Sequence, residues 1–267
     1  WRESLGRLCS SAGGLEHSIT LKDSDTTRVI QGVLSVGAAR FDVVCKQFRR
    51  QGWGRRIMAP LGGSRAERHR RCAVHMLQAG LSTAVPLAQV RVPGPSFCEW
   101  LISERILDAV DLDQLVSSEL SRLDPRTRRR AKQTIGEAIA GFLATMQAQR
   151  LGHRDLKASN VLITNWNAEG VPPRIWVVDL DGLRKQPFRP NETRQLVRLA
   201  ASLVGCRDLS ATDYARCLRR YLSITEGDAA SWRPTFAAVS RRARAYVLAA
   251  AQRKRGKLDG YTGSVCR

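Results

Sequence analysis

The first hundred residues are patterned as strands. His17 to Lys22 predicts a short strand ending at the polar turn Asp23-Ser24-Asp25-Thr26-Thr27. Arg28 to Val36, with Val29, Val33, Leu34 and Val36, predicts a second strand. After Gly37, Phe41 to Phe48 predicts a third, rich in β-branched and aromatic residues, so the three form an antiparallel meander. A loop with Arg49, Arg50, Gly52, Gly54, Arg55 and Arg56 follows. Ser64 to Gln78 then takes helical spacing: Ala66, Ala73, Met76 and Leu77 share a face, Ser64 caps the start and Gly80 stops it. Two more strands are expected at Ala84 to Val92 and Phe97 to Arg105, divided by Pro93-Gly94-Pro95.

Beyond this point the pattern becomes helical. Thr127 to Arg150 carries Ala131, Ile135, Ile139, Phe142, Leu143 and Met146 along one stripe, with Gly152 as the expected stop. Two short apolar runs, Val161-Leu162-Ile163 and Ile175-Trp176-Val177-Val178, flank a loop. Helices are expected at Asn191 to Leu203, Ser210 to Leu222 and Thr235 to Gln252. The chain therefore reads as a strand-rich half, residues 1–106, and a larger helical half, residues 107–267.

Composition narrows the class. With 43% apolar and 25% charged residues, the 267-residue chain is globular rather than disordered. Lys plus Arg number 44 against 24 Asp plus Glu, a net charge of +20 that asks for an anionic partner or leaves a self-repelling surface. No apolar run approaches the roughly 20 residues needed to cross a bilayer, and the first twenty residues lack the apolar stretch of a signal peptide. The seven cysteines are scattered, without a C-x-x-C pair, which argues against a disulfide framework or structural zinc and for reduced thiols in the cytoplasm. The histidines show no metal-ligand spacing. Asn191-Glu192-Thr193 matches a glycosylation acceptor, which carries no meaning in the cytosol.

The strongest chemical signal is His153-Arg154-Asp155-Leu156-Lys157-Ala158-Ser159-Asn160, between a long helix and a short strand. Nineteen residues after Asn160 comes Asp179 in Val177-Val178-Asp179-Leu180-Asp181-Gly182. These residues resemble the protein-kinase-like superfamily, with its H-R-D-L-x-x-x-N and D-F-G motifs. The first match is complete. In the second, Asp-Leu-Asp replaces D-F-G and the glycine comes one place late. The resemblance implies a bilobal α+β fold, a small antiparallel sheet lobe plus a larger, mainly helical lobe.

The spacing has a chemical reason. Phosphoryl transfer needs a carboxylate to orient the attacking hydroxyl and take its proton, and oxygen ligands for the Mg2+ that bridges the ATP phosphates. Asp155 suits the first task. Asn160 and Asp179 suit the second, and Lys157 can neutralise charge on the transferred phosphate. Asp181 beside them has two readings, a group that orients the site from behind and, the plainer one, a solvated turn acid.

The superfamily also requires a lysine on the third strand paired with a glutamate on the next helix. Val43-Val44-Cys45-Lys46 supplies the lysine, and Glu67 is the only acidic residue between Lys46 and Glu99. A strand-edge lysine and a helix-start glutamate are the plainer readings of each alone. No G-x-G-x-x-G covers the phosphates; backbone amides with the Ser24, Thr26 and Thr27 hydroxyls stand in that place. Leu101 to Ile106 resembles the connection between lobes, where the Glu104 carbonyl and Ile106 amide would meet adenine.

Acceptor class follows from what comes after Asp179. A short basic stretch, Arg184 to Pro190, leads straight to a helix, and no A-P-E occurs. This short activation segment leaves no peptide platform. Over about Ile19 to Leu203 the chain resembles the bacterial lipopolysaccharide kinases of the Kdo/heptose type. The resemblance rests on Leu21-Lys22-Asp23, Lys46-Gln47-Phe48, Gly80 to Ala88, Val178 to Gly182 and Glu192 to Leu199. It implies ATP-dependent phosphorylation of a sugar hydroxyl on a glycolipid, at the cytoplasmic membrane face. Basic clusters such as Arg49-Arg50, Arg55-Arg56, Arg68-Arg70-Arg71, Arg128 to Arg130, Arg241-Arg242 and Arg253 to Arg255 fit peripheral contact with anionic lipid, and equally fit solvated helix faces. Aromatic residues are not interleaved with them, which argues against nucleic acid. Two alternatives stay open: a Ser/Thr protein kinase, suggested by Lys157, and a pseudokinase or basic adaptor, suggested by the missing glycines.

Overall fold

A computed structural model describes residues 15–49, 64–92, 98–185, 192–227 and 230–262. The expected arginine-glycine loop after Arg49, the Pro93-Gly94-Pro95 turn, residues 186–190 of the basic stretch, Asn191, Cys9 and Cys266 lie outside them, as do the side chains of Cys98, Lys254 and Arg255. The chain divides into two compact units: residues 1–107 with 177–181, and residues 108–176 with 182–267. The linear boundary at 106 does not contain the second crossing, which carries Asp179 into the first unit.

The first unit is built on a five-stranded antiparallel sheet. Its strands are β1 (Glu16–Ser24), β2 (Thr27–Val36), β3 (Ala39–Arg49), β4 (Pro86–Val92) and β5 (Cys98–Glu104), in the order β1-β2-β3-β5-β4. Alternation along β2 and β3 sends Ile30, Leu34, Val43 and Cys45 to one face, where they pack with Leu15, Trp100 and Ile102. Phe48 and Leu101 pack with Ala66 of the helix α1 (Arg65–Gln78). The Ser64 side chain accepts from Glu67 N at 3.1 Å, the cap expected from the sequence. Past α1 the chain turns at Gly80, whose φ of +73° favours glycine.

Residues 81–83 then fix the segment before Asp179. Val177 N donates to Ser82 O at 3.1 Å, and the buried Thr83 hydroxyl donates to Val177 O at 2.6 Å.

In the second unit, residues 112–122 coil irregularly and bury Leu112, Leu115, Val116 and Leu120. Helix α2 (Pro125–Ala148) follows, with Asp124 accepting from Arg126 N and Thr127 N and proline in the first turn. It ends earlier than expected. Gln149 caps it, Arg150 takes φ of 55°, and Gly152 lies within a strand instead of ending the helix. Two short antiparallel pairings surround the central loop. The strand β6 (Val110–Asp111) pairs with β8 (Val161–Thr164), which neighbours β9 (Arg174–Val177); β7 (Leu151–His153) pairs with β10 (Leu183–Lys185).

Three helices complete the unit: α3 (Glu192–Ser202), α4 (Ala211–Thr225) and α5 (Trp232–Thr262). Tyr221 of α4 donates its hydroxyl to buried Gln147 of α2 at 2.5 Å. Among the described residues no helix is long and apolar enough to cross a membrane.

Thr83→Val should lower stability by about 1–3 kcal/mol, because it leaves the Val177 carbonyl without its buried donor. Urea unfolding followed by circular dichroism measures this, with Ser82→Ala, which keeps the backbone acceptor, as the near-neutral control.

Candidate functional site

The sequence-predicted residues fall into two clusters, one in each unit. In the first unit Lys46 stands on β3, opposite Val29 and Leu101 in the sheet register. Its Nζ is 2.6 Å from Asp179 Oδ1 and 3.8 Å from Asp181 Oδ2. Asp179 has φ of 57°, a left-handed conformation uncommon outside glycine and most accessible to Asp and Asn. The expected Lys46–Glu67 pair does not form. Glu67 instead binds Arg70 at 2.9 Å and Arg71 at 3.1 Å along its own helix. The Arg70 hydrogen bond lowers the Glu67 carboxyl despite the opposing effect of burial.

Asp181 corrects the sequence reading as well. Its side chain is only 20% exposed, and it takes Arg65 Nη2 at 2.6 Å on one oxygen and lies 3.4 Å from His69 Nδ1 on the other. Burial alone would raise this carboxyl. The His69 hydrogen bond, the Lys46 charge and Arg65 outweigh that effect and hold it well below the usual carboxylate range. Asp179 is lowered too, burial being overcome by Lys46. Desolvation dominates at His69 and lowers its value, against the pull of Asp181. Phe48 lies among these groups: Lys46 Nζ is 5.0 Å and Arg65 Cζ 5.2 Å from its ring centroid, and the His69 ring meets it edge-on at 6.1 Å.

The turn between β1 and β2 closes on itself. Ser24 Oγ donates to Thr27 O at 2.9 Å, and Thr27, which is buried, points its hydroxyl to Thr26 Oγ1 at 3.5 Å. Asp23 is bound by Arg49 of β3 at 2.7 Å and Arg28 of β2 at 3.6 Å, so its charge is compensated within the sheet. Glu104 ends β5, its N–H donating to Val85 O at 2.9 Å, and Ile106 lies two residues beyond.

In the second unit the loop from His153 to Asn160 is tied down from several sides. His153 is buried, and its Nδ1 accepts from Asp155 N at 3.2 Å. Asn160 is buried and donates Nδ2 to Asp155 O at 3.0 Å, so its amide oxygen is the end available to a cation. Lys157 is half-buried and starts the short turn Ala158–Asn160.

Helix α3 braces the loop with residues the sequence reading did not single out. Gln195 Oε1 accepts from His153 N at 3.3 Å, Ser202 Oγ accepts from Ala158 N at 2.8 Å, and the Arg198 guanidinium pairs directly with Asp155 Oδ1. Arg198 also stacks on Tyr246 at 4.3 Å. Their spacing of three and four residues along an amphipathic helix is the signal that could have marked them.

The late glycine now has a physical role. A Cβ on Gly182 would lie 2.9 Å from His153 Cε1 and 3.2 Å from Asp155 N. Its carbonyl accepts from Arg154 N at 3.1 Å as β10 begins its pairing with β7.

The donor types fit magnesium: a carboxylate in Asp179 and an amide oxygen in Asn160, both hard ligands. His69, Asp179 and Asp181 also place ligand atoms within 4.8 Å of one another. Of those two carboxylates, Asp181 is engaged by Arg65 and His69 and Asp179 by Lys46.

Gly182→Ala should loosen the loop, raising amide exchange at Arg154 and Asp155 at least tenfold in hydrogen–deuterium measurements. Acid should weaken the first unit. Because Asp179 and Asp181 titrate lower in the folded chain, their contribution is complete above roughly pH 4–5, near the unfolded value, and is lost as pH falls through the folded values. Urea midpoints should therefore drop between pH 5 and 2, and Asp181→Asn should flatten that drop.

A search of curated proteins finds no match. Among solved structures, that of "WaaP in complex with acyl carrier protein" superposes with a TM-score of 0.60 at 19% identity, covering 88% of this chain and 90% of that one. This likeness places the chain in a kinase-like fold. The model of the lipopolysaccharide kinase (Kdo/WaaP) family matches residues 30–221, a span that includes Lys46, Asp155, Asn160, Asp179 and Arg198. The chain belongs to the lipopolysaccharide kinase (Kdo/WaaP) family and is a kinase.

Proposed function

We propose that this kinase transfers the γ-phosphoryl group of ATP to a sugar hydroxyl of a lipopolysaccharide-core-like glycolipid at the cytoplasmic face of the membrane. The braced Asp155 loop carries the reading: an intact H-R-D-L-x-x-x-N sequence whose carboxylate is held by Arg198 and whose backbone is held by Gln195, Ser202 and Gly182.

The roles follow from chemistry. Asp155 accepts the proton of the acceptor hydroxyl as its oxygen bonds to the γ-phosphorus and the bond to ADP breaks. Lys157 and Lys46 bind phosphoryl oxygens, and the β1–β2 turn with Ser24, Thr26 and Thr27 covers the phosphates. Glu104 and Ile106 offer backbone groups to adenine. Asp179 and Asn160 are the residues that would hold magnesium, which supplies charge neutralisation at the phosphates.

A sugar acceptor is favoured over a protein by the short path after Asp179. β10 pairs with β7 at once and α3 begins at Glu192, which leaves little chain for a peptide platform. The net charge of +20 supports peripheral contact with anionic lipid. An acyl carrier protein, which accompanies WaaP in its solved complex, is proposed as a further partner. The observation that supports it is an apolar cavity of about 330 Å3 in the second unit, lined by Leu112, Ile139, Leu199, Leu218 and Phe236 among others, suited to an aliphatic chain.

Labelled ATP offered side by side to purified membrane lipids, total protein and free sugars tests the function. Label should enter the glycolipid fraction. Asp155→Asn should lower transfer by about 100-fold or more, and Asp179→Ala by several powers of ten with the fold retained. Label confined to protein would instead identify a protein kinase.

A further inference from the structure

We propose that Asp181, through Arg65 and His69 of α1, replaces the helix glutamate as the group that positions Lys46 for phosphate. This deepens the kinase reading and rests on it.

Three observations support it. Arg65 and His69 lie four residues apart on α1 and both reach Asp181. Asp181 lies 3.8 Å from Lys46 Nζ, next to the Lys46–Asp179 contact. Glu67 is turned to Arg70 and Arg71. The helix thus contributes a cation, Arg65, with His69 as a polar contact, and the loop after β9 the anion, the reverse of a lysine–glutamate bridge. Phe48 contacts Lys46, Arg65 and His69, so α1, β3 and the Asp179 segment are joined through one cluster.

The division of labour between the two aspartates follows. Asp181 is committed to α1 and holds Lys46 from the side. Asp179, whose side chain is the more exposed at 37%, is the carboxylate that can exchange Lys46 for a metal when the phosphates arrive. Asp181 is therefore a positioning residue, and its loss should affect phosphate recognition in particular.

The test compares Asp181→Asn, Arg65→Gln and Glu67→Gln in equilibrium binding of Mg·ATP and of adenosine, which has no phosphates. Asp181→Asn should weaken Mg·ATP binding about tenfold and change adenosine binding twofold or less. Arg65→Gln should give a smaller change in the same direction, and Glu67→Gln a change of threefold or less for both ligands. Equal losses for ATP and adenosine in Asp181→Asn would make the residue merely structural and overturn the proposal. So would a large ATP-specific loss in Glu67→Gln.

Urea unfolding of the nucleotide-free protein separates this proposal from the kinase reading. The Arg65→Gln/Asp181→Asn double variant should unfold at the midpoint of the worse single variant, whereas Lys46→Met and Glu67→Gln should add. Additivity between Arg65 and Asp181 would overturn the helix contact by itself. A wild-type chain that binds no Mg·ATP would overturn the kinase reading and leave that cycle to decide the contact.

Discussion

The first unit depends on keeping an ammonium and two carboxylates charged in a partly buried cluster. The Lys46 side chain is only 14% exposed. Stranding such a group without a counter-ion costs on the order of 3–5 kcal/mol. Asp179 and Asp181 meet that requirement, but two acids two residues apart would repel each other if Lys46 were their only cation. Arg65 supplies the second positive charge and His69 a further polar contact, so charge within the cluster balances. The strand β3, the helix α1 and the segment 177–181 are thereby fixed by the same requirement. The Thr83 hydroxyl and the Ser82 carbonyl add the hydrogen bonds to Val177 that hold the segment at its entry.

The second unit solves a different problem, the fixing of a loop. Loop backbone pays entropy to hold one conformation, and polar groups that face inward must be matched. Helix α3 does both from one face, with Gln195, Arg198 and Ser202 meeting His153, Asp155 and Ala158 in turn. Gly182 completes the enclosure because no side chain fits beside His153.

Much of this was legible in the sequence, and the failures have physical causes. The strands were readable because β-branched and aromatic residues alternate there, and α1 because Ser64 caps it and Ala66, Ala73 and Met76 recur at helical spacing. The His153–Asn160 loop was readable as a motif. Glu67 was chosen by elimination, as the only acid in reach, and helical phase overrules that choice. At about 100° per residue, Glu67 lies roughly 200° around from Arg65 and from His69, away from the face that Ala66, Ala73 and Met76 bury. Arg65 and His69, at i and i+4, share a side near that face. Asp181 was misread because a turn acid between an apolar residue and a glycine looks solvated until its partners, more than a hundred residues earlier, are in place. The bracing by α3 was hidden for the same reason: Gln195 and Ser202 announce their role only through the loop they touch.

The second aspartate and the late glycine belong to one adjustment. A helix face that carries Arg65 and a His69 lowered by burial offers no anion to anchor a lysine. The anion must then come from the chain on the other side, and the segment after β9 is the nearest source. Placing an acid two residues after Asp179 fills that need, while the requirement for a glycine against His153 moves to the next position, Gly182. The order Asp-Leu-Asp-Gly is thus what a cationic helix face and a crowded histidine together demand. It also preserves the count of ion pairs when phosphate is bound. In the proposed reaction Lys46 would trade Asp179 for phosphoryl oxygen, Asp179 would trade Lys46 for a divalent ion, and Asp181 would keep the helix in place through the exchange. With about half of the other described acids also paired to arginine or lysine, as Asp23, Asp155 and Asp213 are, the net charge of +20 leaves a positive excess that favours anionic reactants.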